Sequence, residues 1–270
     1  MSKGFLWFAQ NNDTTDYAKL SIALARSIKQ HNTINSVCVV TDAKTNINSE
    51  FIDHVIVMQD DHSSNDKVKF GNEHKAFSLS PFTHTIKLEA DMLWTTNTDW
   101  WWHYLTQQDL VFSIGCLNYR NTVVKQSPYR KLFEANHLPD VYNGLMYFRR
   151  SQTAKTFYKL CKTITENWMV VRDEMLKNCH DAYPTTDVVY ALAYRLLDPT
   201  NEQLIEYDWF KFIHSKPAIN NVHFASDLLN YLYPIKLDDR IYLGGQRLNR
   251  VWHYYNKNTV EDLKIGRAHV

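Results

Sequence analysis

Two carboxylates one residue apart, Glu89 and Asp91, lie in the segment Thr85-Ile86-Lys87-Leu88-Glu89-Ala90-Asp91-Met92-Leu93. On a strand, residues two apart share a face, so these acids point the same way and repel unless a cation or solvent intervenes. A hard divalent ion, Mn²⁺ or Mg²⁺, resolves that repulsion and can in turn bind a diphosphate at the carboxyl ends of the strands, where α/β sheets hold ligands. The plainer alternative is a pair of acids capping an exposed strand end. His253 is either a third ligand or a packed or surface imidazole. Lys75, ahead of this strand, neutralises a phosphate as a point charge or sits in solvent. Asp42 follows an apolar run and either contacts a nucleotide or caps a strand. Asn143-Gly144 has the form of a turn pair, and Asp187 in Pro184-Thr185-Thr186-Asp187 is placed to cap a helix.

The elements that must position these groups follow from apolar patterning. Gly4 to Ala9, Val37 to Val40, His54 to Met58 and Thr83 to Met92 read as strands, with a helix from Tyr17 to about Gln30 whose Leu20, Leu24 and Ile28 share a face. A polar loop from Asp60 to Gly71 and a short helix from Glu73 to Leu79 precede the acidic strand. Further strands are expected at Leu110 to Ile114 and Gly144 to Phe148, and helices at Asp99 to Leu105, Gln152 to Leu176 and Thr186 to Leu197. Turns and short strands follow up to Asn258. This alternation predicts an α/β fold, a single domain over 1–270 with a C-terminal extension from about residue 200.

Composition narrows the partners. With 30 Lys+Arg against 29 Asp+Glu among 270 residues, the formal net charge of +1 gives no global field for nucleic acid or membrane. No apolar stretch approaches the ~20 residues of a bilayer span, and Met1-Ser2-Lys3-Gly4-Phe5 does not open into a signal peptide, which predicts a cytoplasmic protein without a membrane partner. Cys38, Cys116, Cys161 and Cys179 are widely spaced, as expected for reduced, packed thiols. Local charge is another matter. Arg120, Lys125, Arg130 and Lys131, interleaved with Tyr119, Tyr129 and Phe133, form a stretch without acids that suits a phosphate-bearing acceptor or is simply a solvated loop. The Trp100-Trp101-Trp102 triplet cannot lie wholly on one helix face, so at least one ring is expected at the surface.

The order of the first strand, Thr41-Asp42, Glu89-x-Asp91, Asn143-Gly144 and His253-Tyr254 resembles GT-A glycosyltransferases, most closely the family 8 type that includes glycogenin and bacterial lipopolysaccharide galactosyltransferases. That resemblance implies a Rossmann-like, mixed but mainly parallel sheet with helices on both faces. It implies a UDP-sugar donor, and Glu89, Asp91 and His253 as ligands of Mn²⁺ or Mg²⁺. Gln10, Asn11, Asn12, Tyr17 and Asp42 then fall on the nucleotide, with Tyr17 as the stacking ring. Asn143 lines the sugar and acceptor site, and Asp187 orients the sugar or serves as base if the reaction inverts, although the family implies retention.

The chain departs from the family in carrying Glu89 where Asp is usual. The stretch around His253 supplies Lys257 at shorter spacing and without Pro-Trp, so His214-Ser215-Lys216-Pro217 is a second source of the phosphate contact. The opening Lys3 to Asn12 and the ending His253 to Lys257 also resemble transferases of tailed bacteriophages, which implies hydroxymethylated cytosine in phage DNA as acceptor. Two alternatives stay open: a transferase acting on lipopolysaccharide, another glycan or a protein, and a non-catalytic nucleotide-sugar-binding protein.

Overall fold

The computed structural model describes residues 1–61, 63, 66–124, 130–220 and 233–263. Strand β1 (Lys3–Phe8) sends Phe5 and Trp7 to one side and Leu6 to the other, all fully buried, because a strand covered on both faces is apolar throughout. Helix α1 (Tyr17–His31) starts where the Asp16 carboxylate accepts from Lys19 N, and it lays Leu24 and Ile28 on the Phe5 side. β2 (Val37–Thr41) and β3 (His54–Val57) follow, and then a 3-10 segment, Asp66–Lys75, runs into α2 (Ala76–Leu79).

The fourth strand is shorter than the apolar run suggests. β4 (His84–Leu88) ends before Glu89, the chain turns at Ala90 and Asp91, and β5 (Met92–Leu93) belongs to a different sheet. Glu89 and Asp91 therefore flank a turn rather than alternate along a strand. After α3 (Trp101–Leu105) come β6 (Leu110–Ile114), β7 (Cys116–Leu117), β8 (Val123–Val124), α4 (Lys131–Ala135) and β9 (Val141–Arg149). Asn143 and Gly144 lie inside β9, not in a turn ahead of it. The expected helix from Gln152 to Leu176 is two helices, α5 (Gln152–Glu166) and α6 (Trp168–Met175). Asn167 divides them because its carboxamide donates to Thr163 O, taking up a carbonyl at the end of α5. α7 (Thr186–Leu197) starts where expected.

The main sheet has the order β3-β2-β1-β4-β9-β6, with β1 to β4 mutually parallel and β9 antiparallel to both of its neighbours. Helices cover both faces, α1 and α3 on the Phe5 side, α5 and α7 on the Leu6 side, so the mixed and mainly parallel α/β expectation holds. The residues beyond 200 build back onto the molecule. β10 (Phe212–His214) pairs in parallel with β7, while β11 (Pro234–Leu237), β12 (Arg240–Leu243) and β13 (Gln246–Arg247) form a separate meander. β14 (Val251–His253) lies between β10 and β5, and α8 (Thr259–Asp262) follows it.

Of the Trp triplet, Trp101 and Trp102 are buried and Trp100 is 47% exposed. All four cysteines are buried and unpaired, and burial pushes the Cys38 and Cys116 thiols up to about 12, which suits packing rather than nucleophilic chemistry. Among the described residues, no helix is long and apolar enough to cross a membrane.

Candidate functional site

The turn after β4 is pinned by Ala90, whose methyl is in the core, so the residues on either side of it are turned outward together. β14 brings the third member. Its register sets His253 opposite Met92, the residue after Asp91, and beside His214 of β10. One ligand atom from each of Glu89, Asp91 and His253 then lies within 4.8 Å of the others. His253 Nδ1 is 3.5 Å from Glu89 Oε2, and Nε2 is 3.1 Å from Asp91 Oδ2, so both ring nitrogens face carboxylates. Lys257 Nζ contacts Asp91 Oδ2 as well. Gly144 makes room for this arrangement: a Cβ there would stand 2.9 Å from Glu89 Oε2.

The electrostatics follow from two acids and two bases in one recess. Burial opposes ionisation of Asp91, but His253 and Lys257 prevail and hold its pKa well below the carboxylate range. Burial, helped by the Asp91 charge, pushes Glu89 up against the pull of His253. For His253 burial disfavours the cation, yet Asp91 and Glu89 outweigh it and raise its pKa above 6.5. His214 stacks on His253 with centroids 4.4 Å apart, and burial first, then the His253 charge, drives it well below 6.5, which makes it a neutral lid on the imidazole. Two carboxylates and an imidazole are a donor set that fits Mn²⁺ or Mg²⁺, with His253 required in its neutral form.

The same recess, about 280 Å³, is also lined by Asn143, Asp187, Lys216 and Lys257. Asp187, in the first turn of α7, does not cap the helix; its Oδ1 accepts from Asn143 N (2.7 Å) and Nδ2 (3.1 Å), and its Oδ2 from Arg130 Nη1 (3.0 Å). Of the three lysines expected as phosphate contacts, Lys216 and Lys257 line this recess with the acids. Tyr17 is close as well: burial raises its phenol, with Lys257, Asp91 and Glu89 all acting on it.

Other expected residues are committed to structure. Asn11 Oδ1 accepts from Ala18 N, and Asn12 Oδ1 from Thr14 N and Thr15 N, so these carboxamides build the turn into α1. Asp42 Oδ1 accepts from Lys44 N and Thr45 N, while Gln10 Nε2 donates to Asp42 and to Asp61. Lys75 lies on the wall of a different cavity. Arg130 is a correction to the basic-loop expectation. It is 3% exposed, held by Asp187, Asp140 and Val141 O, with its guanidinium 3.7 Å from the Phe133 ring centroid and 4.0 Å from that of Tyr142. A guanidinium so enclosed cannot meet an external phosphate. Arg120 and Lys131 are exposed, and Lys125 lies outside the described residues.

Lys87 is a member of the site that the sequence reading passed over. It is fully buried in β4, contacts Glu73, and donates to Asn143 Oδ1 (3.1 Å) and O (3.3 Å). The available signal was a lone lysine in an apolar strand, which must find a carboxylate if the strand is buried.

No family model matches the chain, and no curated protein matches it. Among solved structures, the chain is similar to the apo form of the glycosyltransferase GlyE from Streptococcus pneumoniae TIGR4, at 9% identity and a TM-score of 0.49. That match covers 96% of this chain and 55% of the GlyE chain, so the present sequence spans about half of that protein.

Proposed function

We propose that this protein transfers a sugar from a nucleoside diphosphate donor, UDP-linked, to a hydroxyl acceptor, with a divalent cation held by Glu89, Asp91 and His253. The convergence of these three side chains at the carboxyl end of β4, in a recess that also holds Lys216 and Lys257, carries the reading. When bound, the metal neutralises and aligns the diphosphate leaving group. Lys216 and Lys257 add positive charge beside it, where negative charge accumulates as the glycosidic bond breaks. Tyr17 stands by these groups as the ring for the uracil, and the resemblance to family 8 enzymes supports that assignment.

Asp187 is an orienting group in this scheme. Both of its oxygens are engaged, one by Asn143 and one by Arg130, which holds Asn143 in the recess where this scheme puts the sugar. An inverting reaction needs an available base, so this engagement agrees with the retention that the family resemblance implies. For a hydroxymethylcytosine acceptor, Arg120 and Lys131 are the remaining exposed contacts of the basic stretch.

The test is hydrolysis of a panel of nucleotide sugars with Mn²⁺ or with EDTA, in the presence and absence of hydroxymethylcytosine DNA. Slow, metal-dependent release of one sugar supports the transferase, and acceleration by the DNA adds the acceptor. Binding of a donor without turnover favours the non-catalytic alternative, and neither binding nor turnover of any donor removes the reading.

A further inference from the structure

A second cavity, about 930 Å³, lies between the end of β3, α2 and one side of α5. None of its lining residues lines the acidic recess. Lys75, Arg150, Lys155, Lys159 and Lys162 face it, and Asp60 is the one carboxylate among its lining residues. For a chain with formal net charge +1, this is a pronounced local excess of cations.

Three observations make it more than a solvated patch. Lys155, Lys159 and Lys162 fall on one stripe of α5, spaced by about 6 Å and about 4.5 Å along the helix axis at ~1.5 Å per residue. Like charges so placed repel, and α5 carries no acid within a turn of Lys155 or Lys159; Glu166 pairs with Lys162 alone, at 3.7 Å. Opposite them, Lys75 Nζ is screened from solvent and makes no hydrogen bond among the described residues, an arrangement that costs free energy until an anion meets it. Burial accordingly draws the Lys75 pKa down, although Asp60 and Asp61 pull the other way. Arg150 is fixed in place, donating to Ser80 O and to Phe82 O, with its guanidinium 5.8 Å from the Phe77 ring centroid.

We propose that this cavity binds a ligand carrying two or more phosphoryl groups in a row, with Lys75 meeting one at the floor and the α5 lysines meeting the others at the rim. Ammonium groups are point charges suited to phosphate oxygens, and their spacing along α5 matches a chain of anions better than a single one. A nucleic-acid strand and a free polyphosphate share this chemistry. The site is independent of the sugar-transfer reading.

The test is calorimetric titration of the full chain with inorganic tripolyphosphate in metal-free buffer, where the acidic recess has no divalent ion to recruit phosphates. One saturable site is expected, weakened at least tenfold in Lys155→Ala/Lys159→Ala and unchanged in Lys177→Ala/Lys236→Ala, two exposed lysines elsewhere. Alanine favours helix, so α5 survives the first pair. A single-stranded oligodeoxynucleotide titrated in parallel separates the sources: tighter binding than tripolyphosphate assigns a strand, weaker binding a free polyphosphate. Absence of saturable binding, an equal loss in both double variants, or loss in Lys216→Ala/Lys257→Ala, which would place the anion in the acidic recess, overturns the proposal.

Discussion

At the scale of single residues, His253 is the hinge of the site. Its raised pKa means that the imidazolium, bridging Glu89 and Asp91, persists to higher pH than in a free histidine, whereas a metal needs the neutral ring. Mn²⁺ affinity is therefore expected to be weak below the folded His253 pKa, to climb as pH rises through it and then to level off; electron paramagnetic resonance of free Mn²⁺ across pH 6 to 9 reads this directly. A flat profile would separate His253 from the metal. Gly144 gives a second test. Because a Cβ would stand 2.9 Å from Glu89 Oε2, Gly144→Ala must displace that carboxylate. The expected outcome is a loss of Mn²⁺ affinity of roughly tenfold, typical of disturbing the groups that orient a metal ligand, with far-UV circular dichroism unchanged. Equal Mn²⁺ affinity in both proteins would take Glu89 out of the ligand set.

At the scale of elements, buried charges tie the site to its supports. Lys87 joins β4 to the 3-10 segment through Glu73 and to β9 through Asn143. Lys87→Met leaves the Glu73 carboxylate without its cation in a poorly solvated place, a change that costs about 3–5 kcal/mol. Urea denaturation should show that loss, and adding Glu73→Leu should restore much of it. A second joint is Asp99, which holds the turn between α1 and β2 by accepting from Thr33 N, Thr33 Oγ1, Ile34 N and Asn97 Nδ2. Burial resists its ionisation, but these bonds prevail and put its pKa below the ordinary 3.8. A depressed folded value stabilises the fold fully above the unfolded pKa, and the contribution is lost as pH falls through the folded one. Asp99→Asn should accordingly cost about 1–2 kcal/mol at pH 7, a deficit that shrinks as the buffer is taken below pH 4. A constant deficit across that range would assign the loss to packing.

At the scale of the whole molecule, the main sheet was legible because buried parallel strands are apolar throughout, as β1 and β2 are, and α1 shows its core stripe plainly. The second sheet was not, since its strands are two or three residues long and gain their identity only from partners far along the chain, as β14 does between β5 and β10. The Asn167 break was hidden because Trp168 continues the apolar stripe of α5 into α6. Within the site, the acids and His253 could be read from residue type and family resemblance. Arg130 could not be placed, because one of its two carboxylate partners, Asp187, is 57 residues away and the nearer one, Asp140, does not by itself distinguish a buried arginine from a solvated one. The most direct measurement is calorimetric titration of UDP into the protein with Mn²⁺ or with EDTA, for the natural chain and for His253→Ala. UDP bound in Mn²⁺, at least tenfold weaker in EDTA, with that metal dependence lost in His253→Ala, is the expected result. Equal UDP affinity with and without Mn²⁺ in the natural chain would contradict a metal-held nucleotide at Glu89, Asp91 and His253.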